Sequence, residues 1–146
     1  MGLVAQVQAQ LASVAAIAGR VHGAAKLAQL TEQGQLAQAG VAAFVVPLGL
    51  GGGAASDGSG GLYRQSIDRL VGVILAVRNL ADGTGEAGWV ELEPLVEAVI
   101  VMLAGWDPPG TLGSLRLAKG ELISINRGTI TYQLDFAVAD QLRIVR

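Results

Sequence analysis

A strict alternation near the end of the chain constrains the fold most strongly. Between residues 130 and 138 every second side chain is apolar and those between them are polar or small; the apolar set is Ile130, Tyr132, Leu134, Phe136 and Val138. Successive side chains of a strand point to opposite faces, so this period of two predicts a long strand with one buried face. Such a strand requires a sheet, and the sheet requires a second layer against its apolar face.

Two more strands are predicted on either side of a glycine-rich stretch. Residues 41–48, "VAAFVVPL", are rich in β-branched side chains, and residues 65–79, "QSIDRLVGVILAVRN", alternate over much of their length. These two segments predict a hairpin, and Pro47, which lacks an N–H group, is expected at a sheet edge. The second strand becomes apolar on both faces from Leu70 onward, which indicates that both of its sides are covered there.

Three segments show helical spacing of apolar residues, at three and four positions, and predict helices over residues 2–18, 23–34 and 86–103. A turn is expected at 80–86, and short strands at 114–118 and in "GELISI", followed by a tight turn, "NRG", at 126–128. The fold class is therefore α/β of the α+β type. We expect one domain, residues 1–146, with an antiparallel or mixed sheet, helices packed on one face and a long flexible hairpin tip.

The composition excludes several classes of function. Charged residues make up 15% of the chain, against about 25% in typical soluble domains, so exposed apolar surface and protein partners are expected. A net charge of −2 with scattered basic residues provides no footprint for nucleic acid. The chain has no cysteine, and its apolar runs are shorter than the ~20 residues of a membrane span. We expect a soluble protein made in a cytoplasm, with no membrane partner.

The glycine-rich stretch, "GLGGGAASDGSGG" at residues 49–61, does not match a phosphate-binding loop. Such loops need a lysine or a following helix, and here a strand follows. Two interpretations remain: a solvated hairpin tip, or a tip that becomes ordered on contact with a partner. The second predicts a partner-binding tip and arm, comprising Gly51, Gly52, Gly53, Ala55, Asp57, Gly58, Tyr63, Arg64 and Arg69.

No group of residues predicts catalysis, a metal site or a cofactor site. His22 is the only histidine, and a surface or capping role is expected for it. Glu91, Glu93 and Glu97 are expected on the solvated face of a helix. Trp106, next to "DPPG", could be a lid on the core or an anchor at a subunit interface, together with Pro108 and Pro109.

A series of landmarks in fixed order resembles the phage tail terminator family. The landmarks are "GAAKLAQL" at 23–30, "AAFVVPLG" at 42–49, "VGVILAVRN" at 71–79 with Asp82 and Gly85, an acidic helix at 86–103, "LAGWDPPG" at 103–110 and "YQLDF" at 132–136. Each is a pattern of structural residues, so the order and spacing carry the resemblance. It covers most of the chain and implies an α/β subunit with helices against a sheet.

The resemblance also implies a function: a structural virion protein, not an enzyme. Members of this family form a hexameric ring of identical subunits that caps the head-proximal end of the tail tube and stops tube polymerisation. The ring contacts the tube protein and the neck connector, and DNA passes through its lumen without specific binding. Assembly in the bacterial host cytoplasm and a place at the tail–neck junction are implied. Two alternatives remain: another head–tail connector or neck adaptor, or a small-ligand-binding α/β domain that uses the glycine-rich loop as a lid.

Overall fold

The computed structural model describes residues 2–34, 40–56, 60–78, 86–126 and 128–146. Within these ranges the chain forms one mixed five-stranded sheet with the strand order β1-β2-β3-β5-β4. β1 is parallel to β2 and every other neighbouring pair is antiparallel. Along the chain the elements are α1 (Leu3–Leu11), a 3₁₀ turn (Ala15–Ile17), β1 (Val21–His22), α2 (Ala24–Glu32), β2 (Val41–Ser56), β3 (Leu62–Arg78), α3 (Glu86–Leu103), β4 (Arg116–Asn126) and β5 (Thr129–Val145).

The larger hydrophobic core lies between the sheet and the pair α1 and α3. The alternate residues of β5 named above enter it, and all but the partly buried Tyr132 are fully buried, so the predicted strand and its buried face are confirmed. α3 approaches β5 closely at Gly88, where a Cβ would lie 2.9 Å from Cδ1 of Ile130. The helix side of this core is built from Val7, Leu11, Leu92, Leu95, Val99 and Leu103.

A second, smaller core lies on the opposite face of the sheet. Leu27 and Leu30 of α2 pack there against Ala42, Phe44 and Ala76. The predicted α+β class with a mixed sheet is confirmed, but the expectation that all helices pack on one face is wrong. β2 and β3 are apolar on both faces at this point, and α2 covers the second face, which also confirms the predicted two-sided cover of β3.

The predicted helices differ from the observed ones mainly at the N-terminus. The helix expected over 2–18 ends at Leu11, and Val14 has extended backbone with φ −81° and ψ 112°. Val14 and Ile17 are still buried, because the 3₁₀ turn at Ala15–Ile17 places them in the same core. The helices expected at 23–34 and 86–103 are confirmed as α2 and α3. Most of the turn expected at 80–86 lies outside the described residues.

The segment expected to form separate short strands at 114–118 and in "GELISI" is one continuous strand, β4. It is the outer strand of the sheet, pairs only with β5, and is exposed along its whole length. Its register shifts twice, between Leu117 and Lys119 and between Leu122 and Ser124. Within the described ranges, no helix combines the length and the apolar character that a bilayer crossing requires.

Candidate interaction surfaces

The glycine-rich stretch is largely strand, not loop. β2 continues through Ser56, and Gly51 and Gly52 pair with Asp68 and Ile67 of β3. The predicted hairpin is therefore confirmed, but its loop is shorter than expected. Asp57 and Gly58 lie outside the described residues. Pro47 lies where β2 pairs only with β3, since β1 reaches no further than Phe44; this agrees with the predicted sheet edge.

A close approach between strands explains one of these glycines. A Cβ on Gly53 would lie 2.8 Å from the carbonyl oxygen of Ser66, closer than real side chains come. The register of β2 on β3 shifts at this point, between Gly52 and Ala55. Gly53 is thus required by strand packing, in addition to any role in partner binding.

The glycines belong to a ribbon that we call the arm, in which the far halves of three strands pair: residues 49–56 of β2, 62–70 of β3 and 137–145 of β5. Within it, the hydroxyl of Tyr63 donates a hydrogen bond to Oε1 of Gln65 over 2.9 Å, and Nε2 of Gln65 donates to the carbonyl of Gly53 over 3.3 Å. Arg64 is exposed. The structure therefore places the predicted residues Gly53, Tyr63 and Arg64 on one continuous element.

An ion pair lies at the base of the arm. Nε of Arg69 donates to Oδ2 of Asp140 over 2.6 Å, and the backbone N–H of Gln141 donates to Oδ1 over 2.9 Å. The hydrogen bond from Arg69 is the main reason that the pKa of Asp140 lies below its usual value; partial burial opposes the shift. A second pair, Arg116 with Asp68 at 2.9 Å, joins β4 to β3 across β5.

The predicted interface anchors differ in their exposure. Trp106 is half-buried and packs against the larger core, while Pro108 is buried and Pro109 is exposed. Nε2 of Gln6 donates a hydrogen bond to the carbonyl of Pro109 over 2.9 Å. A surface cavity of about 290 Å³ lies here, and both Pro109 and Arg69 line it, so these two predicted residues are neighbours in the fold.

The remaining polar candidates form no reactive arrangement. The ring of His22 packs 5.7 Å from that of Phe44, centroid to centroid, and Glu91, Glu93 and Glu97 are exposed, as predicted. Across the part of the chain that the structure describes, His, Asp and Glu form no cluster that could hold a metal ion. A polar pocket of about 420 Å³ between α2 and the sheet presents hydroxyl groups and one guanidinium; its lining residues are Thr31, Gly34, Arg78, Ser124, Asn126, Thr129 and Thr131.

One apolar surface was not predicted from the sequence. β4 carries Leu122 and Ile125 with exposed fractions of 47% and 51%. Leu122 pairs with Tyr132 of β5, whose ring lies 6.0 Å from that of Trp89 in α3. The sequence predicted short strands in this segment but gave no indication of which face they expose. Only the strand order shows that β4 is the outer strand, beyond the cover that α3 provides.

Comparisons with known proteins agree with this architecture. The model of the family "Phage tail terminator protein" matches residues 3–146. Among solved structures, a chain of "Virion of native gene transfer agent (GTA) particle" shares the fold, with a TM-score of 0.56 and 21% identity over 96% of this chain and 95% of that one. No curated protein matches the sequence.

Proposed function

Because the chain belongs to the phage tail terminator family, which comprises structural proteins of the phage tail, we propose that it forms the ring that caps the head-proximal end of the tail tube. In this proposal six identical subunits close the ring, stop tube polymerisation and join the tail to the neck. The family match across residues 3–146 is the observation that carries the proposal, and it also supports one domain over 1–146.

The surface of the subunit supports a role in assembly. Large apolar side chains are exposed on several elements, among them Leu50, Val90, Val101, Leu112 and Val145, at 61 to 83% exposure. Scattered apolar residues are ordinary, but so many on a chain with few charges suit a protein that contacts several others at once. A ring subunit has two neighbours, with the tube on one side and the neck on the other.

The proposed ring has one partner protein at each of its two ends. The tube protein and the neck connector are macromolecular partners, and DNA passes through the lumen without specific contacts. The arm is the proposed partner-binding element, with its tip residues 51–58 and with Tyr63, Arg64 and Arg69. Residues 52–55 and Arg64 are exposed, which supports this role, while the ion pair of Arg69 with Asp140 joins β3 to β5 at its base. Of the two proline anchors proposed beside Trp106, the exposed Pro109 is better placed to contact a partner than the buried Pro108.

Electron microscopy of the purified protein, together with a tube-assembly assay, tests the proposal. Negatively stained particles should be closed rings, and addition of the protein to polymerising tube protein should shorten the tubes. The matched control is the same protein heated past its unfolding transition. Rings that bind the isolated connector but leave tube length unchanged would instead favour a neck adaptor. A monomer that leaves tubes unchanged would contradict the proposal.

A further inference from the structure

We propose that the tip of the arm of one subunit docks into the groove between α3 and β4 of the next subunit. The docking face of the arm, which we call the tip face, consists of Leu62, Arg64, Arg143 and Val145. The receiving surface, which we call the acidic groove, consists of Trp89, Glu93, Glu97, Leu122 and Ile125. The inference rests on the proposed ring and names the surfaces that close it.

Strand register brings the tip face together. β3 and β5 pair Leu62 with Val145 and Arg64 with Arg143, so all four side chains point to one side of the arm. Both arginines are exposed, and Val145 is 83% exposed. Like charges directly opposite each other on antiparallel strands repel. None of the ion pairs between described residues includes either arginine, so a carboxylate from outside would relieve this repulsion.

The acidic groove is formed by one side of α3 and one face of β4. Trp89, Glu93 and Glu97 follow each other at intervals of four residues and therefore lie along one side of the helix. The ring contact of Trp89 with Tyr132 places the start of this side beside β5, on the flank of the helix and outside its buried stripe of Leu92, Leu95 and Val99. Both glutamates are exposed.

β4 provides the apolar floor of the groove. Leu122 pairs with Tyr132 and Ile125 with Ile130, and these β5 residues face α3, so Leu122 and Ile125 face the same way. The charged residues of β4 lie on the other face; they are Arg116, Lys119 and Glu121. Each pairs with a β5 residue that lies between the core residues of that strand and therefore points away from α3. Among the described residues of these two elements, the charges on the groove side are thus the two glutamates of α3.

The two surfaces match in both charge and polarity. The tip face offers two guanidinium groups next to two aliphatic side chains, and the groove offers two carboxylates next to an aromatic and two aliphatic side chains. Arginine binds carboxylate through paired hydrogen bonds, and burial of the aliphatic groups adds apolar contact. The surfaces lie on different parts of the subunit, so the contact is heterologous and repeats from copy to copy, as ring closure requires.

A charge exchange tests this pairing directly. One variant, R64E/R143E, carries two negative surfaces, and another, E93K/E97K, carries two positive ones. Each variant alone should remain at the subunit mass of 14.9 kDa in light scattering, whereas the wild type assembles. Mixed in equal amounts, the two should assemble again, with the variants alternating around the ring. Alternation closes only a ring with an even number of subunits, which the proposed six satisfy.

Two controls separate charge pairing from general damage. R64K/R143K keeps the positive charge and should assemble, and so should E32K/E91K, which makes the same charge change as E93K/E97K at exposed positions outside the groove. Circular dichroism should show all variants folded. If the wild type assembles and either charge-exchange variant also assembles alone, or the mixture fails to recover, the docking inference is wrong while the proposed ring stands. A wild type that stays monomeric contradicts both.

Discussion

The Nε atom of Arg69 lies 2.6 Å from Oδ2 of Asp140, and this pair joins β3 to β5 at the base of the arm. The side chain of Asp140 is 13% exposed and that of Arg69 is 40% exposed, so water screens the pair only in part. The pair lies beside the cavity that Pro109 and Gln6 also line. The base of the arm and the loop that follows α3 therefore face one cavity.

The first prediction concerns acid stability. The pKa of Asp140 is lower in the folded state than in the unfolded chain, so the pair stabilises the fold at pH values above the unfolded pKa of about 3.9. This stability is lost as the pH falls through the lower, folded pKa. D140N should remove about 0.2–1 kcal/mol at pH 7 and should flatten the acid limb of the stability curve. Urea unfolding between pH 2 and 7 measures both effects; an unchanged acid limb would contradict the role of Asp140.

The second prediction concerns the glycines of β2. G53A should destabilise the protein by about 1–3 kcal/mol, because the new methyl group would collide with the carbonyl of Ser66. G51A is the matched control, since a Cβ there would lie 3.7 Å from its nearest neighbour, in ordinary contact. Denaturant unfolding of the two variants should separate them. Equal stability of both would show that the glycines are there for chain flexibility alone.

The third prediction distinguishes the two tryptophans. Trp106 packs against the larger core and is half-buried, so W106A should cost about 2–4 kcal/mol, somewhat less than for a fully buried aromatic residue. Trp89 is 41% exposed and lies in the acidic groove, so W89A should reduce subunit assembly more than it reduces stability. Thermal unfolding and light scattering, run on both variants, should rank them in opposite orders.

The fourth prediction concerns the exposed face of β4. L122S/I125S should change the stability of the unassembled subunit by less than about 1 kcal/mol, because both side chains already contact water, and it should weaken assembly. L134A, on the neighbouring strand, is the contrasting variant: Leu134 is 1% exposed, and its truncation should cost about 2–5 kcal/mol. Loss of stability in L122S/I125S comparable to that in L134A would mean that β4 belongs to the core of the subunit.

Side-chain periodicity predicted the elements that bury one face. The alternation from Ile130 to Val138 and the helical spacing of α3 were both confirmed, since each buries a continuous stripe. Residues 49–56 were missed as strand because glycine has no side chain to alternate. The end of α1 was missed because Val14 and Ala18 continue the helical spacing, although the chain turns after Leu11 and Val14 has extended backbone.

The interaction surfaces depended on information that the sequence does not contain. The arm residues Tyr63 and Arg64 were identified from sequence, but the position of Arg143 opposite Arg64 is a matter of strand register. The sequence predicted short strands in the β4 segment but not their place in the sheet, and the order of strands puts β4 at an edge. Local pattern thus predicted most of the strand segments, while long-range pairing determined which of those strands remain exposed.

The outer position of β4 has a consequence for the supply of subunits. An exposed strand that runs from Arg116 to Asn126 without a proline, and that carries Leu122 and Ile125, is a template for unwanted strand addition between molecules. We expect that concentrated, unassembled protein forms insoluble aggregates through this strand. An assembly that covers β4 would remove this template.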